Sequence, residues 1–227
     1  CTAKKYEITR SREMFASGVQ DVDVSLTTRE LTRMIRQAGI EFASITSEAA
    51  DNPLGEYSGA GTIFGATGGV ATAALRSAYH FLTGGEMDEM DFTAIRGLDG
   101  VKEAEVDLDG RLVRLAVAHG LAHVETVLNK VRLAIEAGDE PPYHFIEVMA
   151  CPGGCVGGGG QGWGDTDAKR HLRAEGLAGD DRDRPVRRSH QNPSVRKLYD
   201  EFLGEPLGDR AHELLHTSYA PRPEYRR

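Results

Sequence analysis

Cys151 and Cys155 stand four positions apart in the run Glu147 to Gln161. Pro152, Gly153 and Gly154 lie between them, and Gly157 to Gly160 follow as four consecutive glycines. Thiolates are soft ligands suited to zinc, copper(I) and iron–sulfur clusters. Glycine loses more conformational freedom on folding than any other residue, so six in one loop require a reason. One reason fits both facts: backbone that closely approaches something bulky and non-protein, with its N–H groups turned inward. The spacing alone leaves the ligand open. A thioredoxin-like pair has two intervening residues, not three. A zinc ribbon brings a second pair. A cubane takes four thiolates, and the chain has one further cysteine, Cys1. Two inert buried cysteines in a tight loop would not need this much glycine.

The other candidates are weaker on their own residues. Cys1-Thr-Ala-Lys4-Lys5 sets a thiol beside cations, and an exposed basic segment is the plainer reading. Phe64-Gly-Ala-Thr-Gly-Gly69 is similar to a phosphate-binding turn at a helix start. It lacks the Lys-Ser/Thr of a P-loop, so tight packing of a turn explains it equally well. His212 and His216 sit at i, i+4, a spacing that can chelate a metal, with packing or capping the preferred use. Leu98 and Trp163 read as core or rim residues.

The positioning elements follow from pattern. Thr27 to Glu30 is a capping box, and Leu31, Met34, Ile35 and Ala38 recur behind it at helical spacing, stopped by Gly39. The glycine turn at 63–70 leads into a helix with Val70, Ala74, Ala78 and Phe81 on one face. Residues 101–117 predict a hairpin turning at Asp109-Gly110. A helix over 119–135 and a short apolar strand over 144–149 follow, the strand delivering the cysteine loop. Residues 165–188, dense in Asp and Arg, predict a surface linker. Asn192-Pro193-Ser194 then caps a helix, and a second short helix holds Leu214 and Leu215. The fold expected is α/β, mixed sheets flanked by helices, with a small helical C-terminal segment. Its divisions are 1–163, a linker over 164–189, and 190–227.

Gross composition narrows the function. The chain has 227 residues, 40% hydrophobic and 27% charged, as in a soluble globular protein. A net charge of −8 argues against nucleic acid and anionic membrane surfaces. No apolar run reaches the ~20 residues that cross a bilayer. Three cysteines suit a reducing compartment and a cytoplasmic protein better than a disulfide scaffold.

Taken together, the motifs show a resemblance. Cys1-Thr-Ala-Lys-Lys-Tyr-Glu7 resembles the second signature of the iron-only (FeFe) hydrogenases without its leading Met-Pro, and Glu147 to Gln161 resembles the third. Residues 24–31, 64–70 and 96–103 are similar to the connecting segments. Residues 198–206 and 214–219 are similar to the family's small subunit, here fused. The resemblance implies reversible reduction of protons to dihydrogen at an H-cluster. That cofactor is a 4Fe–4S cluster joined through a cysteine sulfur to a diiron unit carrying CO, CN⁻ and a bridging dithiolate amine. It implies Cys1, Cys151 and Cys155 as metal ligands, with Cys155 bridging. It further implies Lys4 as hydrogen-bond donor to a cyanide, and Phe64 and Met149 as pocket lining. Ferredoxin or a similar carrier and the maturation proteins are the implied partners.

Two departures stand out. The first signature, with the fourth cubane ligand and the relay thiol, has no counterpart among the three cysteines. Residues 1–227 are therefore expected to be the carboxyl-terminal part of a longer enzyme, cut within its second signature and inactive alone. Gly162-Trp163 also replaces the usual Pro after Gln161. Two other family roles remain as alternatives: a non-catalytic iron–sulfur carrier or assembly protein, and a hydrogen sensor. Retention of Lys4 and Met149 favours the enzyme over the first, and the fused small-subunit segment disfavours the second.

Overall fold

The computed structural model describes residues 1–10, 12–15, 18–48, 51 and 55–219. Its helices are α1 (Lys4–Glu7), α2 (Thr28–Gln37), α3 (Gly59–Thr62), α4 (Gly69–Thr83), α5 (Leu121–Ala137), α6 (Asp167–Asp183), α7 (Pro193–Leu198) and α8 (Asp209–Leu215). Its strands are β1 (Val101–Asp107), β2 (Leu112–His119) and β3 (Phe145–Met149), in the order β1-β2-β3.

The hairpin turns where its sequence dictates. Asp109 (φ 57°) and Gly110 (φ 81°) both adopt left-handed conformations, the requirement of a type I′ turn. The register runs from Val101 opposite Ala118 to Asp107 opposite Leu112. β3 joins β2 in parallel, Leu115 with Phe145 and His119 with Met149, and α5 makes the crossover that parallel pairing needs.

Strand alternation then builds the core. On β2, Leu115 and Val117 pack with Ala71 and Leu75 of α4 and with Met87, Phe92, Ile95 and Leu108. Ala116 and Ala118 point the other way, against Val124 and Val127 of α5. The middle strand is thus covered on both faces. His119, expected to open the helix, is instead the last residue of β2. At the entry to α4, Gly68 has φ 79°, and a Cβ there would lie 2.1 Å from the Ile95 carbonyl oxygen, so both the conformation and the space require glycine.

Two expectations change. Residues 165–188 are not a linker: Asp167–Asp183 is a helix whose N-cap Thr166 accepts from the Lys169 N–H. Composition misleads here because the helix docks through charge. Arg76, fully buried on α4, forms a bidentate pair with buried Asp181, both N–O distances 2.9 Å. Arg76 also donates to the Met90 and Arg187 carbonyls, and Arg187 Nη2 lies 2.6 Å from Asp181 Oδ2. Burial alone would raise the Asp181 carboxyl, but hydrogen bonds and charge from Arg76 and Arg187 outweigh it and hold it below its ordinary range. The second change concerns α2. Its capping box forms as expected, Glu30 N–H to Thr27 Oγ1 at 3.1 Å and Thr27 N–H to Glu30 Oε2 at 2.8 Å. The Thr27 backbone N–H, with the Lys5 ammonium, lowers the Glu30 carboxyl to about 2. Yet no α2 residue is buried, and Leu31 and Met34 remain half exposed.

Candidate metal centre

β3 delivers the cysteine loop, where Cys151 is half-buried and Cys155 exposed. Gly153 (φ 76°) and Gly154 (φ 91°, ψ −158°) turn the chain in a conformation closed to other residues. The glycines also admit protein. A Cβ on Gly154 would lie 2.8 Å from the Thr67 backbone nitrogen, and one on Gly157 only 2.0 Å from the Pro152 carbonyl oxygen. A Cβ on Gly160 would meet Thr27 at 3.0 Å and the Cys1 Cα at 3.4 Å. The expectation of backbone crowding a non-protein group is therefore only part of the account, since these three glycines make room for other strands of the chain.

Buried polar groups fix the loop. Gly153 N–H donates to His119 Nδ1 at 3.1 Å, so His119 carries its proton on Nε2 and donates to the Leu98 carbonyl, also at 3.1 Å. Burial, reinforced by the Lys102 ammonium, pushes the imidazole pKa down and keeps it neutral. Thr67 N–H donates to the Gly153 carbonyl at 3.0 Å. Glu147 on β3 is buried and accepts from Gly68 N–H (2.6 Å) and Ala71 N–H (2.8 Å), placing a carboxylate at the start of α4. The strand, the Phe64 turn and the cysteine loop are thereby one unit. From the other side, α6 contributes Arg173, which donates to the Val156 carbonyl at 2.7 Å and to Asp165 at 2.9 Å.

The amino-terminal arm meets this unit at the glycines. Besides the Cys1–Gly160 approach, Thr2 Oγ1 lies 3.2 Å from where a Gly159 Cβ would stand. Arg29 donates from its backbone N–H to the Gly160 carbonyl (3.3 Å) and from Nη1 to the Gln161 carbonyl (2.5 Å). Its guanidinium covers the Trp163 ring at 4.4 Å, so Trp163 is an exposed rim residue.

The expected site residues are partly gathered. Cys1, Cys151 and Cys155 belong to two segments that touch. Phe64 lies on the turn that packs against Gly154, with its side chain half exposed. Met149 ends β3, half-buried, its carbonyl accepting from Gly120 N–H at 2.9 Å. Lys4 stands apart: its ammonium is paired with Glu7, and it is exposed. His212-Glu213-Leu214-Leu215-His216 carries the His-Glu-x-x-His order of zinc peptidases. However, α8 ends at Leu215, and among the described residues no third His, Cys or acidic ligand atom converges on the pair. The sequence reading missed His119, Glu147 and Arg173. Glu147 had a signal, a lone acid in an apolar strand; the other two had none.

Residues 1–159 match the family described as iron only hydrogenase large subunit, C-terminal domain, and residues 167–222 match the iron hydrogenase small subunit. The chain belongs to the iron-only hydrogenase family. It is 45% identical over 224 residues to the NADP-reducing hydrogenase subunit HndD of Solidesulfovibrio fructosivorans, covering 98% of this chain and 37% of that one. It is 53% identical over 161 residues to the periplasmic Fe hydrogenase large subunit of Nitratidesulfovibrio vulgaris, covering 71% of this chain and 37% of that one. Protein NAR1 of Arabidopsis thaliana is more distant, at 29% over 240 residues, covering 97% of this chain and 48% of that one. A solved variant of the FeFe-hydrogenase HydA1 from Chlamydomonas reinhardtii superposes with a TM-score of 0.73 at 39% identity, covering 96% of this chain and 61% of that structure. The chain thus spans under half the length of these curated relatives. The segments that match the large- and small-subunit families, joined here in one chain, meet through Arg76–Asp181 and through Arg173 at the cysteine loop.

Proposed function

We propose that this chain is the carboxyl-terminal part of an FeFe-hydrogenase that interconverts dihydrogen with protons and electrons at an H-cluster. Cys1, Cys151 and Cys155 are the thiolate ligands we assign to the cluster. One observation carries the reading: Cys1 and Cys155 are 154 positions apart, yet the Cys1 backbone packs on Gly160, five residues beyond Cys155. Soft thiols on two segments that meet at a glycine loop suit iron and sulfide.

The residues present fit such a group. Three thiols are free, and Thr67 Oγ1, buried beside the loop, has no hydrogen-bond partner among the described residues. A buried hydroxyl left so is a donor awaiting an acceptor. The cluster supplies the electron store and the iron at which dihydrogen is made or split. The protein holds it. His119 and Thr67 fix the Gly153 peptide, so the two loop thiols are presented on a rigid turn. Phe64 and Met149 line the space and exclude water from it. Lys4, now paired with Glu7, would exchange that anionic partner for a cyanide of the bound group, as a charge-assisted donor. The sequence supplies neither the fourth cubane ligand nor the relay thiol, so the activity belongs to the full-length enzyme.

Electrons come from ferredoxin or a similar carrier, with an NADP-linked partner subunit the alternative suggested by HndD. Maturation proteins install the diiron unit. We assign the enzyme to the cytoplasm. No helix among the described residues is long and apolar enough to cross a membrane.

Full-length protein, matured with its diiron cofactor, should oxidise dihydrogen with viologen dyes and show CO and CN⁻ stretches in the infrared. Cys155→Ala should abolish both. A fully loaded enzyme without hydrogen exchange would overturn the proposal. An iron–sulfur assembly role is the second reading, supported by 29% identity over 206 residues to the cytosolic Fe-S cluster assembly factor narfl of Xenopus tropicalis. Higher identity to the hydrogenases, 45% and 53% against 29%, favours catalysis. A protein that binds cubane iron but never shows the infrared bands would reverse that preference.

A further inference from the structure

A second cluster of ligand-type side chains lies away from the cysteine loop, where the end of α4 meets the turn at 189–191. His80 is on α4, Glu86 just beyond its C-terminus, and His190 on the turn; one ligand atom from each lies within 4.8 Å of the others. His80 Nδ1 is 3.1 Å from Glu86 Oε1, and His190 Nε2 is 3.2 Å from the same carboxylate. A tetrahedral ion with bonds of about 2.0–2.1 Å spaces its ligand atoms about 3.3–3.4 Å apart. The observed contacts are already close to that separation. We propose that His80, Glu86 and His190 form a binding site for a borderline divalent transition ion, zinc first, which staples the small-subunit segment to the large-subunit segment.

Three features support a site rather than a chance grouping. His190 is nearly buried, and its other nitrogen, Nδ1, lies 3.1 Å from Ser77 Oγ on α4, the outer hydrogen bond that orients ligating imidazoles. The ligand set, two imidazoles and one carboxylate, is one that zinc takes when it keeps a fourth position open. A cavity of about 780 Å³ adjoins the three side chains and leaves room for water in that position. Phe81, Val195 and Tyr199 supply its apolar wall.

The remaining contacts set the terms of binding. The two imidazoles stack at 4.3 Å with 12° between their planes. An ion lies near the plane of each ring it binds, so one ring must turn about its Cβ–Cγ bond. His80, the more exposed of the two, is the ring with room to turn. Its Nδ1 also lies 3.2 Å from the Gly85 carbonyl, so binding through Nδ1 gives up that contact and places the ring proton on Nε2. Arg188 Nε is 3.1 Å from Glu86 Oε2 but is not aligned as a hydrogen bond. Burial raises the Glu86 carboxyl, but the His190 hydrogen bond, with a smaller share from Arg188, holds it below its ordinary range. The Arg188 cation also opposes a second cation, so it lowers affinity.

The test uses the full-length, cluster-loaded protein and zinc chloride as the probe. Calorimetry should show one zinc equivalent per chain, the cysteines being occupied by the loaded cluster. Zinc-edge X-ray absorption should show nitrogen and oxygen neighbours only, a readout blind to iron. His80→Gln and Glu86→Gln, both at partly exposed positions, should each weaken binding at least tenfold. Arg188→Gln should tighten it, which damage to the fold would not do. Sulfur in the zinc shell, binding unchanged in His80→Gln and Glu86→Gln, or a Kd weaker than about 0.1 mM would overturn the proposal.

Discussion

The arm formed by residues 1–48 and the body formed by residues 55–219 are built on different physics. In the body, β2 is buried on both faces, and α4 and α5 close over it. In the arm, Thr27 is the single buried residue among those described, and the apolar face of α2 lies open. The two regions meet where Cys1, Thr2, Thr27 and Arg29 approach residues 159–163, and again where the Arg10 guanidinium lies 5.3 Å from the Tyr219 ring centroid. The first of these seams also brings the Cys1 backbone to Gly160, in the loop that carries the other two cysteines. A rigid platform therefore presents Cys151 and Cys155, and a lightly held arm presents Cys1. The proposed metal site, split this way, would gain part of its folding free energy from the metal itself.

That contrast can be broken most severely at Gly154. Alanine there must take φ 91° and place a Cβ 2.8 Å from a backbone nitrogen, so Gly154→Ala should cost the body at least about 3 kcal/mol, seen as a large fall in melting temperature. The buried pair comes next. Arg76→Met leaves buried Asp181 with Arg187 as its remaining ion-pair partner and should cost about 3 kcal/mol, and adding Asp181→Leu should recover part of it, since Arg187 then loses its own partner. Asp181 also predicts a pH effect. Its folded pKa is depressed, so its contribution is complete above its unfolded value of about 4 and is lost as pH falls further. Denaturant melts should weaken through that acid window, and Asp181→Asn should flatten the change. Glu147→Gln keeps one acceptor for two backbone donors and should cost about 1–3 kcal/mol.

Arg29→Ala should affect the body least. A half-exposed cation–π contact is worth about 0.5–1 kcal/mol, so the melting temperature should barely move. Limited proteolysis within residues 1–48 should nevertheless quicken, and saturating the cluster should suppress it. Equal sensitivity of arm and body to this substitution would contradict the division between them.

Much of this was legible in the sequence because local chemistry decides it. Asp109-Gly110 specified a I′ turn, Thr27 with Glu30 a capping box, and Asn192-Pro193 a helix start, and each forms. The helix α6 was not legible. It docks through Asp180 to Thr62, Asp181 to Arg76 and Arg173 to the Val156 carbonyl, and a charged helix fixed by such contacts has the composition of a solvated loop. The α2 stripe erred the other way: periodicity marks a face that can be buried, not the surface that buries it. At the site, cysteine and glycine declared themselves by type. His119 and Arg173 did not, because their roles depend on contacts with residues 34 and 17 positions away.

Iron–sulfur reconstitution of full-length protein lacking the diiron unit tests the central claim most directly, with iron content and the electron paramagnetic resonance of the reduced cluster as readouts. The wild-type protein should bind one 4Fe–4S cluster at this site, and Cys1→Ala, Cys151→Ala and Cys155→Ala should each lose it or change its signal. A Cys1→Ala protein with the wild-type iron content and an unaltered signal would show that the arm and the loop do not share a metal.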